Sequence, residues 1–423
     1  MSVSAFDRYQ ALKQAFQLTY RGYPVNQLMA TEFAMYSFGR TACNATYQSC
    51  KINLFTVEAF STLGNLLQKP VLLGSFNGYG SDYRELMELA MNQVPQSQWY
   101  EFREQRRKLF RPLTILRSFF EVCWKLRNQD LPLQVKAYFF IRLVYYKNCL
   151  KQLDTLAAHG IATKKYLSFL SCLTPEALLC LFFKKYQIPV YTLQHGLHRS
   201  VNSYRGAVPF DALVLENLQA DYFLGWGAYS KEALTEQGWK EQQFLLAGNP
   251  RSWSVESFQL RTQKYQRVVI NLARDLYHAG NLQLIQLGRE LQESGYEVLM
   301  KAHPRSTDTT AVQAMTDAGL EQIAAGSTVS EILKYQNIDF VIVYHSTVYY
   351  DYYQQGVVAF RFEDGIQEIP FGLADQFQTP EELRLLIQQY RELDSEQLRA
   401  QMIQMVSHFS KPGPSQYARL LAD

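Results

Sequence analysis

The sequence predicts an α/β protein built from parallel strand–helix units, and three observations support this fold class. The chain has 423 residues, of which 47% are hydrophobic, so it is long enough to form two domains with large cores. Its apolar runs are short and continuous rather than alternating, as expected for strands that are buried on both faces. Helical patterns separate the later runs, which is the spacing of parallel α/β units.

Nine apolar runs are predicted as strands, namely 70–76, 165–172, 190–194, 221–226, 243–248, 267–273, 297–302, 339–344 and 357–362. Helices are predicted between the later ones, at 279–294, 327–336 and 380–393. A long region at about 97–158 favours helix and is interrupted at Pro112 and Pro132. It separates the first predicted strand from the second.

The helix-favouring region is also strongly basic. From Glu101 to Lys151 there are twelve Lys or Arg against four Asp or Glu, a net charge of +8, whereas the whole chain carries only +3. This asymmetry predicts an anionic partner nearby. Two interpretations stay open: an interfacial helix that docks on an anionic membrane surface, or aromatic faces that pack internally while the Lys and Arg side chains lie in solvent.

The predicted domain limits follow the polar stretches of the chain. An N-terminal Rossmann-like domain is expected over 1–258, with the basic helical insertion at about 97–158. Since the polar stretch 252–266 precedes a new strand, a second domain is expected over 259–410. After the Pro- and Gly-containing stretch 410–416, the terminal segment 411–423 is expected to form a helix that packs back.

Several classes of protein are disfavoured by what the sequence lacks. Its six cysteines form no C-x-x-C pair, which predicts reduced thiols in a cytoplasm and no metal site. No apolar stretch approaches the roughly 20 residues that span a bilayer, so the expected location is cytoplasmic, with a peripheral position on the inner face of the plasma membrane open. A G-x-S-x-G elbow and nucleic-acid motifs are also missing, which disfavours nucleophilic hydrolysis and nucleic-acid binding.

The segment 341–360 is the clearest candidate for a ligand-binding unit. A buried strand ends before Ser346 and Thr347, which open a helix that Gly356 closes. The two hydroxyls are either simple helix caps or part of a diphosphate site at the carboxyl edge of a parallel sheet. Asp351, one turn further, is either a solvated carboxylate or an acceptor of hydrogen bonds from a ribose.

Three other loops present basic side chains. Lys301 and His303 lie near the end of the strand at 297–302, and Pro304 ends regular structure there, so they either neutralise a diphosphate or belong to a surface turn. Arg251 follows a Gly- and Pro-containing turn. Arg274 follows the strand at 267–273, and for both arginines pairing on the surface is the alternative.

The run Gln-His-Gly-Leu-His-Arg follows the strand at 190–194. Its histidines, His195 and His198, have an i, i+3 spacing that a metal uses only on a helix, and no H-E-x-x-H pattern accompanies them. Metal binding is therefore not predicted. His195 is either a general base presented at a strand end or a core histidine satisfied by the backbone.

Five motifs follow one another between residues 194 and 351. They are Q-H-G at 194–196, A-D-Y-F-L-G-W-G at 220–227, G-N-P-R at 248–251, K-A-H-P at 301–304 and S-T-x-x-x-D at 346–351. In this order they resemble the bacterial surface-polysaccharide glycosyltransferases of GT-B fold, which include capsule polymerases, Kdo and sialic acid transferases, and CDP-glycerol glycerophosphotransferases. The resemblance covers about Val190 to Gly356.

The resemblance implies two Rossmann-like domains facing a cleft, and a metal-independent transfer of sugar from a nucleotide-sugar donor to a growing cell-surface glycan, a capsule or related polysaccharide. It implies no cofactor, and a glycan or lipid-linked glycan as acceptor. His195 is then the candidate base, and the acceptor side also includes Gly196, His198 and Arg199. The implied donor-binding residues are Arg251, Arg274, Lys301, His303, Pro304, Ser346, Thr347 and Asp351.

Two alternatives stay open beside sugar transfer. The first is transfer of a polyol phosphate from a CDP-linked donor, as in teichoic acid synthesis. Where that branch tends to have Asp-Tyr-Ser-Ser, this chain has Tyr344, His345, Ser346 and Thr347, and the missing acidic residue favours sugar transfer. The second, from another class, is a non-catalytic relative that binds glycan or stabilises a partner transferase.

Overall fold

The protein is described by a computed structural model with gaps in its coverage. The described residues are 4–39, 54–60, 62–77, 81–102, 106–196, 216–236, 238–251, 255, 258–261, 266–304, 306, 309–335, 337–364, 375–411 and 413–422. They form two six-stranded sheets and two small two-stranded ones.

The helices of the N-terminal half are α1 (Ala5–Ala15), α2 (Val25–Ser37), α3 (Leu63–Leu67), α4 (Ser81–Met91), α5 (Pro112–Lys125), α6 (Leu133–Ala157), α7 (Glu176–Lys185) and α8 (Ala228–Glu236). Its strands are β1 (Thr19–Tyr20), β2 (Tyr23–Pro24), β3 (Thr56–Glu58), β4 (Leu72–Phe76), β5 (Ser97–Glu101), β6 (Arg106–Lys108), β7 (Lys165–Ser168), β8 (Val190–Leu193), β9 (Tyr222–Gly225) and β10 (Phe244–Leu246).

The N-terminal sheet is entirely parallel and has the order β10-β9-β8-β7-β4-β5. From β4 the chain adds β5 on one side, then returns past β4 and adds all later strands on the other side. This reversal is a topological switch point, which lies between β4 and β7. Strand β8 is buried along its whole length, as its continuous apolar run predicts.

The strands of the C-terminal half are β11 (Arg267–Asn271), β12 (Glu297–Lys301), β13 (Glu321–Ile323), β14 (Phe340–Tyr344), β15 (Ala359–Phe362) and β16 (Gln376–Phe377). Its helices are α9 (His278–Glu293), α10 (Thr309–Asp317), α11 (Val329–Ile332), α12 (Val348–Gln354) and α13 (Pro380–Glu392), followed by α14 (Ser395–Phe409) and α15 (Pro414–Leu421).

The C-terminal sheet is also entirely parallel, with the order β13-β12-β11-β14-β15-β16. This is the doubly wound order of Rossmann folds, with the switch point between β11 and β14. The predicted fold class is confirmed: two Rossmann-like α/β halves of the GT-B kind, the first with a helical insertion. The domain limits at 258 and 410 stay a prediction.

The last two helices return to the N-terminal half. Phe409, at the end of α14, packs on Tyr229 with the ring centroids 5.0 Å apart. Asn249 N donates to Lys411 O at 2.8 Å, and Tyr417 Oη donates to Gly248 O at 2.8 Å. Tyr417 is fully buried among residues of the N-terminal sheet, so α15 completes a core of the other half of the molecule.

The helix-favouring region differs from its prediction at the start. Instead of helix from about 97, the structure has β5 and β6, and the insertion helices are α5 and α6. Strand β5 contains Trp99 and Tyr100, which favour strands, and it pairs in parallel with β4 along five residues. Within the described residues, no helix combines the length and the apolar character needed to span a membrane.

Candidate functional site

Most of the predicted donor-binding residues lie on three neighbouring loops of the C-terminal sheet. Strands β12, β11 and β14 are adjacent and parallel, so the loops that follow them meet at one carboxyl edge. Arg274 follows β11, Lys301 and His303 lie at the end of β12, and Ser346 and Thr347 follow β14. The switch point lies among these loops, and ligands of doubly wound sheets bind at such points.

The loop after β14 starts with an unusual backbone conformation. His345 has φ of +44°, a left-handed conformation that residues other than glycine rarely adopt. Its side chain is 2% exposed, and its Nε2 lies 3.2 Å from Asp364 Oδ1. Tyr344 Oη donates to Asp364 Oδ2 at 2.7 Å. The carboxylate of Asp364 thus accepts a hydrogen bond from Tyr344 and lies beside the ring of His345.

The two hydroxyls of this loop differ in what they do locally. Ser346 Oγ accepts a long hydrogen bond from Val348 N at 3.3 Å, which is a turn contact. Thr347 is the N-cap residue of α12, but its side chain makes no capping hydrogen bond. The capping interpretation therefore applies in part to Ser346 and does not describe Thr347. Both residues are half-buried at the sheet edge.

Lys301 is the buried cation of this edge. It is the last residue of β12 and is 7% exposed. Burial lowers the pKa of its ammonium group, and no neighbouring charge offsets that effect. Among the described residues no carboxylate pairs with it. A buried ammonium without a counter-ion is costly, and an anionic ligand would supply the missing charge.

The loops after β11 and β12 are held by short polar contacts. Asn281, on α9, accepts from Ala273 N at 2.9 Å and donates to Ala273 O at 3.0 Å. The side chains of Asp275 and Ser306 are hydrogen-bonded, which ties the two loops together. His303 O accepts from Ser306 N at 2.8 Å in a tight turn that contains the exposed Pro304. These contacts place Arg274 and His303 on fixed backbone.

A charged network lies beneath the loop after β14. Arg361, on β15, donates to Asp375 Oδ1 through Nε at 2.9 Å and through a terminal nitrogen at 2.6 Å. Tyr349 and Tyr353, both on α12, donate to the other oxygen of the same carboxylate. A cavity of about 10 Å³, roughly the size of one water, separates Arg361 from Ser346. The network fixes α12 to β15.

Asp351 lies on this helix as predicted. It is half-buried, in the first turn of α12. Its backbone oxygen accepts from Gln355 N at 3.1 Å, an ordinary helical contact. The structure thus places its carboxylate one turn beyond Ser346 and Thr347, and its role toward a ribose stays a prediction.

On the N-terminal sheet, the switch point holds a buried carboxylate. Glu176 is the first residue of α7 and is fully buried. Its Oε2 accepts from Ser168 Oγ at 2.9 Å, from Phe169 N at 2.7 Å and from Leu170 N at 2.8 Å. Burial raises the pKa of Glu176 from 4.5 to about 7, although the donated hydrogen bonds act in the opposite direction. Glu176 thus holds the backbone of residues 169 and 170, which directly follow β7.

Gln194 anchors the loop after β8. Its side chain is fully buried, donates to Gly196 O at 2.9 Å and accepts from Trp226 N at 2.6 Å. Trp226 follows β9, the neighbouring strand, so the amide links two strand ends. The glutamine of the Q-H-G motif is therefore a structural clamp that holds the backbone on both sides of His195.

His195 is presented on an aromatic surface at the same edge. Its ring centroid lies 5.0 Å from that of Phe169 and 5.9 Å from that of Tyr83. Phe169 follows β7 and belongs to the segment that Glu176 holds. The side chain is half-buried. In the described residues, no cluster of three or more His, Cys, Asp or Glu is arranged to hold a metal ion.

The two sheet edges meet at Gly196 and Thr347. A Cβ atom on Gly196 would lie 2.9 Å from Thr347 Cγ2, closer than such atoms approach in folded proteins. The acceptor-side motif and the donor-side motif, 150 residues apart in the numbering, are therefore in contact. His195 and Ser346 are the immediate chain neighbours of this contact. The structure thus brings the first and last of the five sequence motifs together.

Arg251 has a different neighbourhood from the other predicted donor residues. It lies after β10 at the edge of the N-terminal sheet, where its guanidinium pairs with Glu85 of α4 at 3.0 Å. Its backbone N–H is held by Asn249 Oδ1 at 3.0 Å. The structure thus places Arg251 on the N-terminal half, and a donor contact stays a prediction. His198 and Arg199 lie outside the described residues.

Sequence reasoning missed two of the residues that shape this site. Glu176 follows a proline at a helix start, a pattern typical of an ordinary first-turn acid. Gln194 is part of the Q-H-G motif, but an amide in a strand end has no distinctive pattern. The only available signal was that Gln194 directly follows a fully apolar strand, where a polar side chain needs a partner.

Comparisons with known proteins give only weak similarities. No protein-family model matches this sequence, and no curated protein matches it. Among solved structures, the UDP-GlcNAc 2-epimerase from Neisseria meningitidis, bound to UDP-GlcNAc, is 10% identical over 82% of this chain and 97% of its own, with a TM-score of 0.49. For the wall teichoic acid polymerase TagF the identity is 15% over 94% of this chain and 96% of its own, with a TM-score of 0.42.

The apo form of the lipopolysaccharide outer core galactosyltransferase WaaB is 11% identical, covers 82% of this chain and 96% of its own, and has a TM-score of 0.45. These values are too low to argue for an activity or a ligand of this chain. The fold assignment rests on the strand order of its own two sheets.

Proposed function

We propose that the protein is a glycosyltransferase that moves a sugar from a nucleotide-sugar donor to a glycan acceptor. One observation supports this proposal above the others: the carboxyl edges of two parallel sheets meet at Gly196 and Thr347. Each edge is a ligand-binding edge in its own sheet. Two such edges in contact suit a reaction in which one half holds the donor and the other holds the acceptor.

The C-terminal edge has the chemistry to hold the donor's diphosphate. Lys301 is a buried cation without a carboxylate partner among the described residues, and Thr347 has a hydroxyl that makes no capping bond. We propose that these two groups, with Ser346, His303 and its neighbour Pro304, contact the phosphates. Arg274 would reach the same anion from the loop after β11, and Asp351 would accept hydrogen bonds from the ribose.

The proposed transfer develops negative charge on the departing nucleotide diphosphate. The bond between the anomeric carbon and the diphosphate oxygen breaks, and a bond from that carbon to the acceptor oxygen forms. A fixed ammonium in a partly dry site stabilises this charge because it needs no reorganisation. We therefore propose a metal-independent reaction in which Lys301 provides the main positive charge.

The N-terminal edge would present the acceptor. We propose that His195 accepts the proton from the attacking hydroxyl in an inverting reaction, and that Gly196 borders the acceptor. The ring of His195 packs on Phe169 and Tyr83, and Gln194 holds the backbone beside it. Orientation of this kind is what a general base requires, because its proton transfer depends on heavy-atom distances.

The acceptor class rests on the motif order rather than on the geometry. We propose a growing cell-surface glycan, a capsule or related polysaccharide, assembled on the inner face of a bacterial plasma membrane. Transfer of a polyol phosphate from a CDP-linked donor is the nearest alternative. It is disfavoured because the chain has Tyr344 and His345 where that branch tends to have an acidic residue followed by Tyr.

A donor screen tests the proposal directly. We expect one of the UDP-, CMP-, CDP-, GDP- or dTDP-linked sugars to raise the thermal midpoint of the protein, because a ligand that binds only the native state stabilises it. Lys301→Ala should remove most of this shift, and Ser346→Ala and His303→Ala should remove part of it. Lys334→Ala, which changes an exposed lysine of the same half, is the matched control.

The pH dependence of donor binding provides a second readout. Since burial lowers the pKa of Lys301, its ammonium group loses its proton at a lower pH than an exposed lysine does. Donor affinity should therefore fall as pH rises through that pKa, and Lys301→Ala should abolish this dependence. If no donor stabilises the protein, the donor site is wrong. Binding without turnover of any donor, with glycan binding retained, would support the non-catalytic alternative.

A further inference from the structure

One region of the surface concentrates apolar side chains. Of the fourteen large hydrophobic side chains that are exposed among the described residues, eight lie on α5 or beside it. They are 50–83% exposed: Phe55, Phe110, Leu113, Leu116, Phe119, Phe120, Trp124 and Leu133. We call these eight residues the α5 face. A contiguous exposed apolar patch marks an interaction site more often than a chance feature of the surface.

The α5 face follows one side of the helix. Leu113, Leu116, Phe120 and Trp124 are separated by three or four residues, so they lie above one another on successive turns. Phe110 extends the face beyond the start of α5, and its ring stacks on that of Phe55 with a centroid distance of 6.0 Å. The apolar surface is therefore longer than the helix itself.

The opposite side of α5 is fixed to the rest of the protein. Ser118 and Val122 are buried, and Glu121 pairs with the buried Lys147 of α6. Arg117 donates to the same carboxylate at 3.0 Å. Because the buried side of α5 is packed and ion-paired, the exposed apolar side chains do not result from a loosely packed helix.

Basic side chains surround the apolar residues. Arg107, Lys108 and Arg127 are exposed, and the guanidinium of Arg127 lies 3.7 Å from the ring centroid of Trp124. The nearest acidic residue on α5, Glu121, is already paired. Within the described part of the chain, Arg107, Lys108 and Arg127 form no ion pair. Apolar rings with a basic border are typical of helices that lie in the interface of an anionic bilayer.

We propose that the α5 face docks on an anionic lipid bilayer, with α5 parallel to the membrane plane and its apolar side chains among the acyl chains. This inference rests on the proposed function, because docking would bring the N-terminal half, which carries His195, to a lipid-linked acceptor. A second copy of the chain fits this face less well, since a two-fold contact would place the basic borders of both copies against each other.

Vesicle sedimentation with the full-length protein tests the docking. The wild type should sediment with vesicles of phosphatidylglycerol and phosphatidylcholine, and much less with phosphatidylcholine alone. The triple variant Leu113→Ser, Leu116→Ser, Phe120→Ser should lower the partition coefficient at least about tenfold, because three apolar insertions are lost. Arg107→Gln with Lys108→Gln and Arg127→Gln should weaken binding to the anionic vesicles only, and moderate salt should have the same effect.

The control changes an equally exposed leucine elsewhere. Leu385, on α13 of the C-terminal half, is 59% exposed, and Leu385→Ser should leave vesicle binding unchanged. All substituted residues of the triple variant are exposed, so its thermal midpoint should stay close to that of the wild type. Its donor-induced stabilisation should also be retained, which separates a failure of docking from a failure of the proposed transferase.

Three results would overturn the proposal. The wild type could stay in the supernatant with both kinds of vesicle, or the triple variant could bind as well as the wild type. The third is a wild type that sediments as a dimer in analytical ultracentrifugation without binding vesicles, and becomes monomeric in the triple variant. That result would assign the α5 face to a second copy of the chain.

Discussion

The two halves of the molecule use the same kind of parallel sheet but hold their ligand-binding edges in different ways. At the N-terminal edge, the loops are fixed by Gln194 and by Glu176, whose pKa is raised by burial, and His195 packs on the rings of Phe169 and Tyr83. At the C-terminal edge, the loops are fixed by carboxylates that pair with Arg361 and His345. Among the described residues, the first edge is thus held by an amide and by a carboxyl group with a raised pKa, and the second by ion pairs.

The difference matches what each edge would have to bind. A neutral sugar is bound by hydrogen bonds to its hydroxyls and by aromatic rings against its C–H faces, whereas a diphosphate needs fixed positive charge. The buried network of Arg361 and Asp375 links β15 to α12 at the C-terminal edge, and within the described part of the chain no carboxylate pairs with Lys301. Under the proposed function, the same sheet architecture would serve two chemically different ligands because the supporting residues differ.

The largest loss of stability is expected from breaking the buried ion pair of Arg361 and Asp375. Asp375→Asn removes the carboxylate charge that is hydrogen-bonded to Arg361 in a contact that is almost fully buried. We expect a loss of about 3–5 kcal/mol in the free energy of unfolding, because the buried guanidinium loses the anion that it contacts directly. Urea denaturation measures it. Glu381→Gln, which removes the partner of Arg384 in an exposed pair, should cost at most about 1 kcal/mol. Equal losses would contradict this account.

The contribution of Glu176 to the stability of the N-terminal half should depend on pH. Since the pKa of Glu176 is raised from 4.5 to about 7, the native state binds more protons than the unfolded state between these values. The free energy of unfolding should therefore fall as pH rises through this window, by up to about 3 kcal/mol. Glu176→Gln should remove this fall, so the variant gains on the wild type as pH increases.

Denaturation at several pH values between 4 and 8 would show the effect. Glu396→Gln, which changes an exposed glutamate on α14, should keep the slope of the wild type. If Glu176→Gln and the wild type have parallel profiles, the carboxyl group of Glu176 is not neutral in the folded protein.

A smaller effect is expected where the two edges meet. Gly196→Ala places a methyl group 2.9 Å from Thr347 Cγ2, so one edge must shift by a few tenths of an ångström. Turnover of the donor should fall about tenfold, because transfer depends on the distance between the edges. Adding Thr347→Ser removes the opposing methyl group, retains the hydroxyl and should restore most of the turnover.

The matched glycine control is Gly326→Ala, since no atom lies near the added Cβ at that position. Turnover and the thermal midpoint are measured for the wild type, Gly196→Ala, Thr347→Ser and the double variant. Together they separate a change in position from a loss of stability. Full turnover of Gly196→Ala would mean that this contact does not set the geometry of transfer.

Sequence patterns were sufficient for the central strands because these strands are buried on both faces. All nine predicted strands are present, with ends that differ by up to a few residues. Strands β13 and β16 were not predicted, since both lie at sheet edges, where mixed polarity hides them. Strand β5 was assigned to a helical region because its first residues are polar and its β-formers are few.

The candidate site was only partly predictable, because its neighbours are set by strand order. The sequence shows which residues follow a strand, but not that the loop after β11 lies between those after β12 and β14. Arg251 pairs with Glu85, 166 positions away, and no local pattern indicates such a partner. Glu176 is similar, since its burial depends on strands that pair only in the folded chain.

The packing of α15 also bears on the order in which the protein can fold. Tyr417 and Leu421 fill a core formed by β4, β7 and β8 of the other half. A ribosome delivers the N-terminal half first, but that half lacks these side chains until residue 421 has been synthesised. Its nascent form must therefore expose part of this apolar core throughout the synthesis of the second half, and transiently exposed apolar surface of this kind is prone to aggregate.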